Sequence, residues 1–327
     1  MNGDFQIECL RQPLKYVIYN NNMKVTNITK KIISNYTHEN VGVRSNIMKI
    51  LGHGKLGGTG RMIILPVDQG FEHGPDRSFA INSPAYDPNY HHQLAIDAGL
   101  SAYAAPLGLL QTSSGNYHGQ IPTILKINSS NTLATSLDQA VTGNIDDALK
   151  LGCAAIGFTI YPGSEHNFEL IEEFKNLSLE AKEKGLAVVL WAYARGSKIS
   201  KQGETAMNII SYAAHMAALL GANIIKVKLP SDFLEDDPTK KAFEDNKISI
   251  SALKDRVAHI KKVAFDGKRL VVFSGGDAKD DQALMDEVLA IHQGGGNGSI
   301  IGRNCFQRSR TDALALLEQI IQIYKSK

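Results

Sequence analysis

Two lysines sit in a segment whose other residues argue for burial. Gly221-Ala222-Asn223-Ile224-Ile225-Lys226-Val227-Lys228-Leu229-Pro230 reads as a buried strand, yet it carries two ammonium groups. An uncompensated buried charge is costly, and the usual escape is a lowered pKa. A lysine that is uncharged part of the time is a nucleophile, and its natural target is a carbonyl. Lys226 and Lys228 are two apart, so on a strand they share a face at different depths. One can be the nucleophile while the other binds an anion or, as a nearby cation, favours the neutral amine. The bland alternative is a salt-bridged pair beyond the strand end.

Other polar residues also follow apolar runs. Asp68 comes directly after Leu65-Pro66-Val67 and leads into Gln69-Gly70-Phe71-Glu72-His73. A carboxylate there can orient hydroxyls or assist proton transfer, unless it serves only a turn or a helix cap. Trp191-Ala192-Tyr193-Ala194-Arg195 sets a phenol beside a guanidinium. Such a phenol can accept and return a proton during carbon–carbon cleavage; the alternative is a half-buried tyrosine with its hydroxyl in water. Ser274-Gly275-Gly276 and Gly302-Arg303 suggest phosphate binding. Glycines let backbone N–H groups approach phosphate oxygens, a helix N-terminus adds its dipole, and an arginine adds charge.

These residues act together only if the fold brings them together. Eight short apolar runs recur from residue 61 onward, at 62–67, 102–106, 123–127, 154–160, 187–192, 224–228, 270–273 and 299–301. Segments of near-helical periodicity lie between most of them, at 168–184, 205–220, 252–265, 280–292 and 311–324. Gly152, Gly185 and Gly221 each stand just before a strand, where helix C-caps are expected. Continuous apolar strands separated by helices imply a parallel sheet covered on both faces. Eight strand–helix repeats point to a closed (β/α)8 TIM barrel, with a doubly wound sheet as the alternative. In a barrel the active site forms at the strand C-termini, which sets Asp68, His73, Trp191, Tyr193, Arg195, Lys226, Lys228, Ser274, Gly275, Gly276, Gly302 and Arg303 around one mouth. Residues 1–60 fall outside this rhythm. They are polar and Asn-rich, with Ile33, Ile47 and Leu51 in weak helical register, and read as an N-terminal extension packed on the barrel (61–327) or on a neighbouring subunit. Residues 230–248 form a polar, acidic insertion after the lysine strand, either a lid or a plain surface loop.

Composition excludes several classes. The chain has 327 residues, 43% hydrophobic and 21% charged, with a formal net charge of +2. That balance gives no reason to invoke nucleic acid or an anionic membrane. No window approaches the ~20 apolar residues needed to span a bilayer. The three cysteines, Cys9, Cys153 and Cys305, form no Cys-x-x-Cys motif and fit a reducing cytoplasm. Gly52-His53-Gly54-Lys55-Leu56-Gly57 matches a dinucleotide fingerprint but precedes the first strand, so its context fails. Ten histidines supply no His-x-x-x-His pair and no Cys/His cluster, and neither a metal nor another cofactor is expected. His91-His92 reads as the start of a helix, and the run from Gly294 to Gly298 as a flexible loop.

Leu65-Pro66-Val67-Asp68-Gln69-Gly70 with Glu72-His73, Thr159-Ile160-Tyr161 with Gly163-Ser164-Glu165, Leu190-Trp191-Ala192-Tyr193 and Ile225-Lys226 together resemble class I fructose-bisphosphate aldolases of the archaeal and bacterial type. The likeness runs from about residue 50 to the C-terminus. It implies a (β/α)8 barrel, a homo-oligomer, a sugar-phosphate substrate, no metal, and cleavage of fructose 1,6-bisphosphate into dihydroxyacetone phosphate and glyceraldehyde 3-phosphate. It also implies Lys226 as the Schiff-base lysine, Tyr193 as acid/base and Asp68 as the family's aspartate. Ser274, Gly275, Gly276, Gly302 and Arg303 become phosphate loops, while Lys228, His73, Trp191 and Arg195 complete the candidate substrate contacts. Two rivals stay open here: a lysine-dependent aldolase or transaldolase on another phosphorylated keto-sugar, and a sugar-phosphate binding protein without catalysis.

Overall fold

Within each apolar run, alternate residues face opposite ways, and this decides what each strand buries. The computed structural model describes residues 23–275 and 280–326. Eight strands form a closed, wholly parallel barrel: β1 (Met62–Pro66), β2 (Ala102–Pro106), β3 (Thr123–Lys126), β6 (Ala155–Ile160), β7 (Ala187–Ala192), β8 (Ile224–Val227), β9 (Leu270–Ser274) and β10 (Gly298–Ile300). Between β3 and β6, β4 (Asn128–Ser129) and β5 (Ala140–Val141) pair as a small antiparallel ribbon that the sequence pattern does not announce. The barrel itself is the one the eight apolar runs imply.

One set of residues fills the barrel interior. Ile64, Ala104, Ile124, Val189, Ile224 and Val272 belong to a single buried cluster there. Their neighbours Ile63, Leu65, Leu125, Val188, Ile225 and Val271 pack outward beneath the helices in another. This period of two places Lys126, two residues after Ile124, and Lys226, two after Ile224, on the interior face.

The surrounding helices begin and end where capping chemistry permits. Asn144 and Asp147 form a reciprocal capping box on the helix Ile145–Lys150, and Asp280 caps Asp281–Gln293. Gly152, Gly185 and Gly221 adopt φ of 67°, 83° and 82° just past three helix ends, a conformation disfavoured for other residues. His91 and His92 lie early in the helix Pro88–Ala98. The amphipathic reading of 168–184 holds for the helix Asn167–Glu183, although Phe168 and Leu179 face solvent. The glycine run before β10 is a packed turn instead of a flexible loop. Gly296 sits against Ile291 and Phe273, and a Cβ on Gly298 (φ 133°) would meet the Met62 carbonyl oxygen.

Helices α1 (Asn27–Ile33) and α2 (Val41–Gly52) close the end of the barrel where the strands begin. Ile33, Tyr36, Val43, Ile47, Ile50 and Leu51 join the interior cluster with Met62, Ala187 and Leu270. Tyr36 fixes the fit: its hydroxyl donates to the Asn223 carbonyl at 2.7 Å and accepts the Leu270 N–H at 3.1 Å. Gly42 on α2 meets Gly185 so closely that a Cβ would lie 2.7 Å from its Cα. Residues 230–248 carry a helix, Asp237–Asp245, capped by Asp236.

Ile47 is fully buried in this plug, whereas Val41 on the same helix is 76% exposed. Ile47→Ala is expected to lower unfolding stability by about 2–5 kcal/mol, and Val41→Ala by no more than about 0.5 kcal/mol. Urea unfolding of both variants checks the difference; equal effects would mean α2 is not part of the core.

Candidate active site

At the C-terminal ends of the strands the barrel opens into a cavity of about 650 Å³. Asp68, His73, Tyr193, Arg195, Lys226 and Lys228 line it, together with Ser274, Gly275, Gly302 and Arg303. Trp191 lies one layer deeper, 1% exposed, on the interior face of β7. Gly276 and Cys9 fall outside the described residues.

Each group arrives by a traceable local cause. Lys226 stands opposite Trp191 on β7 and Val272 on β9 in the sheet register. Its Nζ lies 5.2 Å from the Trp191 ring centre and 5.2 Å from that of Tyr193. The amine is 4% exposed as a residue, and burial lowers it to about 8; Asp68 and Glu72 oppose that shift, and Arg303 reinforces it. Lys228 lies just past the end of β8 and ion-pairs with Glu204 at 2.7 Å. Burial lowers its amine too, while Glu204 pulls the other way.

Asp68 precedes the short helix Gln69–His73 at the N-cap position, but its side chain makes no capping bond. Its carboxylate is directed at the cavity instead of serving the helix. Glu72 lies 3.6 Å from the Arg195 guanidinium, and His73 Nε2 lies 3.7 Å from Glu72. The Arg195 guanidinium stacks over Tyr161 and Tyr193 and donates to the Tyr161 hydroxyl at 3.4 Å. Tyr193 follows β7 and hydrogen-bonds Ser274 at the end of β9. Burial, then Asp68 and Glu72, drive its phenol well above the ordinary tyrosine range, so the proton stays on its oxygen.

The glycine loops divide. The Gly275 N–H donates to the Ile300 carbonyl at 3.2 Å, so this amide is committed to the barrel. Gly302 is required sterically, since a Cβ would come 2.7 Å from the Pro66 carbonyl oxygen where the chain crosses back toward β1. Arg303 begins the next short helix and lines the cavity. Among the described residues, no group of three or more His, Cys, Asp or Glu side chains is arranged to hold a metal ion, and no helix is long and apolar enough to cross a membrane.

A sequence profile described as DeoC/LacD family aldolase matches residues 62–308, the barrel and its active-site end. The chain belongs to that family. A probable fructose-bisphosphate aldolase class 1 from Chlamydia muridarum is 34% identical over 298 residues, covering 86% of this chain and 84% of its own length. A fructose-bisphosphate aldolase class 1 from Thermoproteus tenax is 34% identical over 266 residues, covering 81% of this chain and 89% of its own. A solved archaeal fructose-1,6-bisphosphate aldolase, whose catalytic lysine is covalently bound to a carbinolamine intermediate, superposes with a TM-score of 0.69. That structure is 29% identical and covers 91% of this chain and 99% of its own. The lysine-dependent aldolase barrel implied by the sequence motifs is thus the family to which the chain belongs.

Three further groups of this aldolase site were not singled out as candidates in the sequence reading. Lys126 closes β3 inside the barrel, 4% exposed, by the same pattern of a lysine within an apolar strand that singled out Lys226. Glu72 has its signal in its spacing, four residues after Asp68, which returns it to the same side of a helical turn. Glu204 had none, because only the folded loop after β7 brings it to Lys228.

Trp191, the chain's single tryptophan, owes its place to Gly157, where a Cβ would lie 2.5 Å from the indole. Gly157→Ala is expected to displace the ring, shifting the emission maximum and costing about 1–3 kcal/mol by overpacking. Fluorescence and thermal melting check this together; unchanged emission and stability would mean the ring is not wedged against β6.

Proposed function

We propose that this aldolase is a class I fructose-bisphosphate aldolase that cleaves fructose 1,6-bisphosphate reversibly into dihydroxyacetone phosphate and glyceraldehyde 3-phosphate through a Schiff base. One observation carries the reading: Lys226 presents a buried amine, lowered to about 8, to a cavity also lined by Tyr193 and Asp68.

In this reading the Lys226 amine attacks the C2 carbonyl, and the carbinolamine loses water to give an iminium. The iminium withdraws the electron pair when the C3–C4 bond breaks, leaving an enamine and a free aldehyde. The C4 hydroxyl proton passes to the Tyr193 oxygen as that phenol hands its own proton to the Asp68 carboxylate. The phenol later gives a proton to the enamine carbon as the Asp68 carboxyl returns its proton to the phenolic oxygen, and water releases the ketone from Lys226. The high affinity of the Tyr193 oxygen for its proton suits a group that must end each half-reaction as a phenol.

Ser274, Gly302 and Arg303 hold one phosphate at the strand-nine and strand-ten side of the mouth. The committed Gly275 amide leaves that role to its neighbours. Lys228, His73 and Arg195 face the rest of the substrate from the other side. Trp191 floors the site and fixes the Lys226 side chain. Fixing the phosphate positions the ketone over the amine, so binding energy is turned into orientation.

The test is borohydride trapping with dihydroxyacetone phosphate, followed by peptide mass spectrometry. An adduct on Lys226 is expected, with trapping and kcat/KM rising as pH climbs through about 8, because only the free amine attacks. Turnover without any adduct, or activity abolished by a chelator, would overturn the mechanism. Tyr193→Phe is expected to cut kcat by about 10²–10⁴-fold while leaving the Lys226 adduct trappable. Loss of trapping and turnover together would instead make Tyr193 part of the binding step.

A further inference from the structure

The end of the cavity away from Arg303 already holds an anion. Glu204 sits in the short helical turn Gly203–Thr205, on the loop after β7, and lines the cavity beside Lys201 and Lys228. Its Oε2 accepts from Lys228 Nζ at 2.7 Å, and its Oε1 accepts from Lys201 Nζ at 3.0 Å. Both carboxylate oxygens thus face cations that a substrate phosphate at this end would seek. No step of the cleavage uses Glu204. Stability is a weak reason for the pair, because a part-buried ion pair gains little once desolvation is counted.

The backbone around Glu204 is pinned. The Thr205 carbonyl accepts the Ser231 N–H at 2.7 Å and the Ser231 hydroxyl at 3.0 Å. The Ser200 carbonyl accepts the Glu204 N–H at 3.1 Å. Ser200 itself donates to the Glu235 carboxylate, from its N–H at 2.8 Å and from its hydroxyl at 2.9 Å. Gly203 packs on that same carboxylate, where a Cβ would come 2.5 Å from Oε2. The start of the insertion after β8 therefore braces the loop after β7. Only the Glu204 side chain is left to move, and Lys201, 90% exposed, anchors it on the solvent side.

Other cations at this end are engaged elsewhere. Arg195 has Glu72 at 3.6 Å, and Arg256 donates to the carbonyls of Pro230, Ile250 and Ser251. The ammonium groups beyond Lys226 are Lys228 and Lys201, and Glu204 holds both. A sugar phosphate carries about −1.5 to −2 charges at neutral pH. Brought to Lys228, it meets a carboxylate of like charge in a part-buried cavity and must displace it or bear the repulsion. An uncharged hydroxymethyl group at the same place leaves the Glu204–Lys228 pair intact.

We propose that Glu204 is a specificity-determining residue: an internal anion that competes with the distal phosphate of a bisphosphate for Lys228 and so narrows the preference for bisphosphates over keto-sugar 1-phosphates. The proposal rests on the aldolase reading above, with the C1 phosphate at Ser274, Gly302 and Arg303.

The experiment measures kcat/KM for fructose 1,6-bisphosphate and for fructose 1-phosphate with the full-length wild type, Glu204→Gln and Glu204→Ala. Glu204→Gln removes the charge while keeping an oxygen for Lys228. The ratio of bisphosphate to monophosphate kcat/KM is expected to rise about tenfold, through KM for the bisphosphate more than through kcat. Glu204→Ala is expected to move the ratio the same way and serves if the glutamine variant does not fold. An unchanged ratio overturns the proposal, because the distal phosphate then never meets Glu204. A lowered ratio also overturns it and would mean that Glu204 holds Lys228 ready for the phosphate. A wild type that cleaves neither sugar would instead sink the aldolase reading itself, so the two failures are distinct.

Discussion

The structure depends on keeping an amine inside a closed barrel. An ammonium on the interior face of β8 loses its hydration, and water cannot be replaced there by a simple ion pair without quenching the nucleophile. The solution is a balance. Burial pushes the Lys226 proton off, the carboxylates Asp68 and Glu72 pull it back, and Arg303 opposes them. Aromatic faces from Trp191 and Tyr193 hold the side chain without offering an acceptor that would fix the proton. A direct Lys226–carboxylate pair would have made a stable cation and a poor nucleophile. Asp68 and Glu72 act from a distance, and Glu72 already has Arg195 at 3.6 Å.

That balance requires stiffness, and the opposite end of the barrel supplies it. The plug formed by α1 and α2 fills the interior up to the layer of Ile64, Ile124 and Val189, on which Trp191 rests. Close packing from the plug to the indole leaves the floor of the cavity no freedom to relax when the amine changes charge. Tyr36 ties the plug to the strands carrying Lys226 and Ser274, through Asn223 just before β8 and Leu270 at the start of β9. Stability and chemistry thus occupy opposite ends of the same strands, as expected for this architecture.

Much of this was legible in the residues. Eight apolar runs gave the strand count, and the glycines before three strands marked helix ends because φ near +67° to +83° is disfavoured for side chains with a Cβ. Lys226 was legible because a charge in an apolar strand violates the burial rule. Lys126 violates the same rule, but it is the last residue of its strand and its partner Asn128 lies two residues on, so it reads as a strand end. The ribbon of β4 and β5 is two residues per strand, too short for any alternation to register. The glycine run before β10 resembled a linker by composition. Its contacts with Met62, Ile291 and Phe273 are long-range, and no local pattern encodes them. Ion pairs such as Lys228–Glu204 and Arg195–Glu72 belong to the same category: they join segments that meet only once the barrel closes.

The two lysines at the end of β8 show how depth alone separates roles that spacing leaves equivalent. Both point inward, and burial lowers both amines. Lys226 is the deeper by one repeat of two residues, within the strand and next to Trp191. Lys228 is past the strand end, about a quarter exposed, where a loop can reach it, and Glu204 does so at 2.7 Å. An amine held by a carboxylate at that distance suits a role as a fixed charge for an anion. An amine held only by rings and distant charges can give its proton up. One pleat of a β-strand therefore separates a residue suited to bind charge from one suited to form a covalent bond.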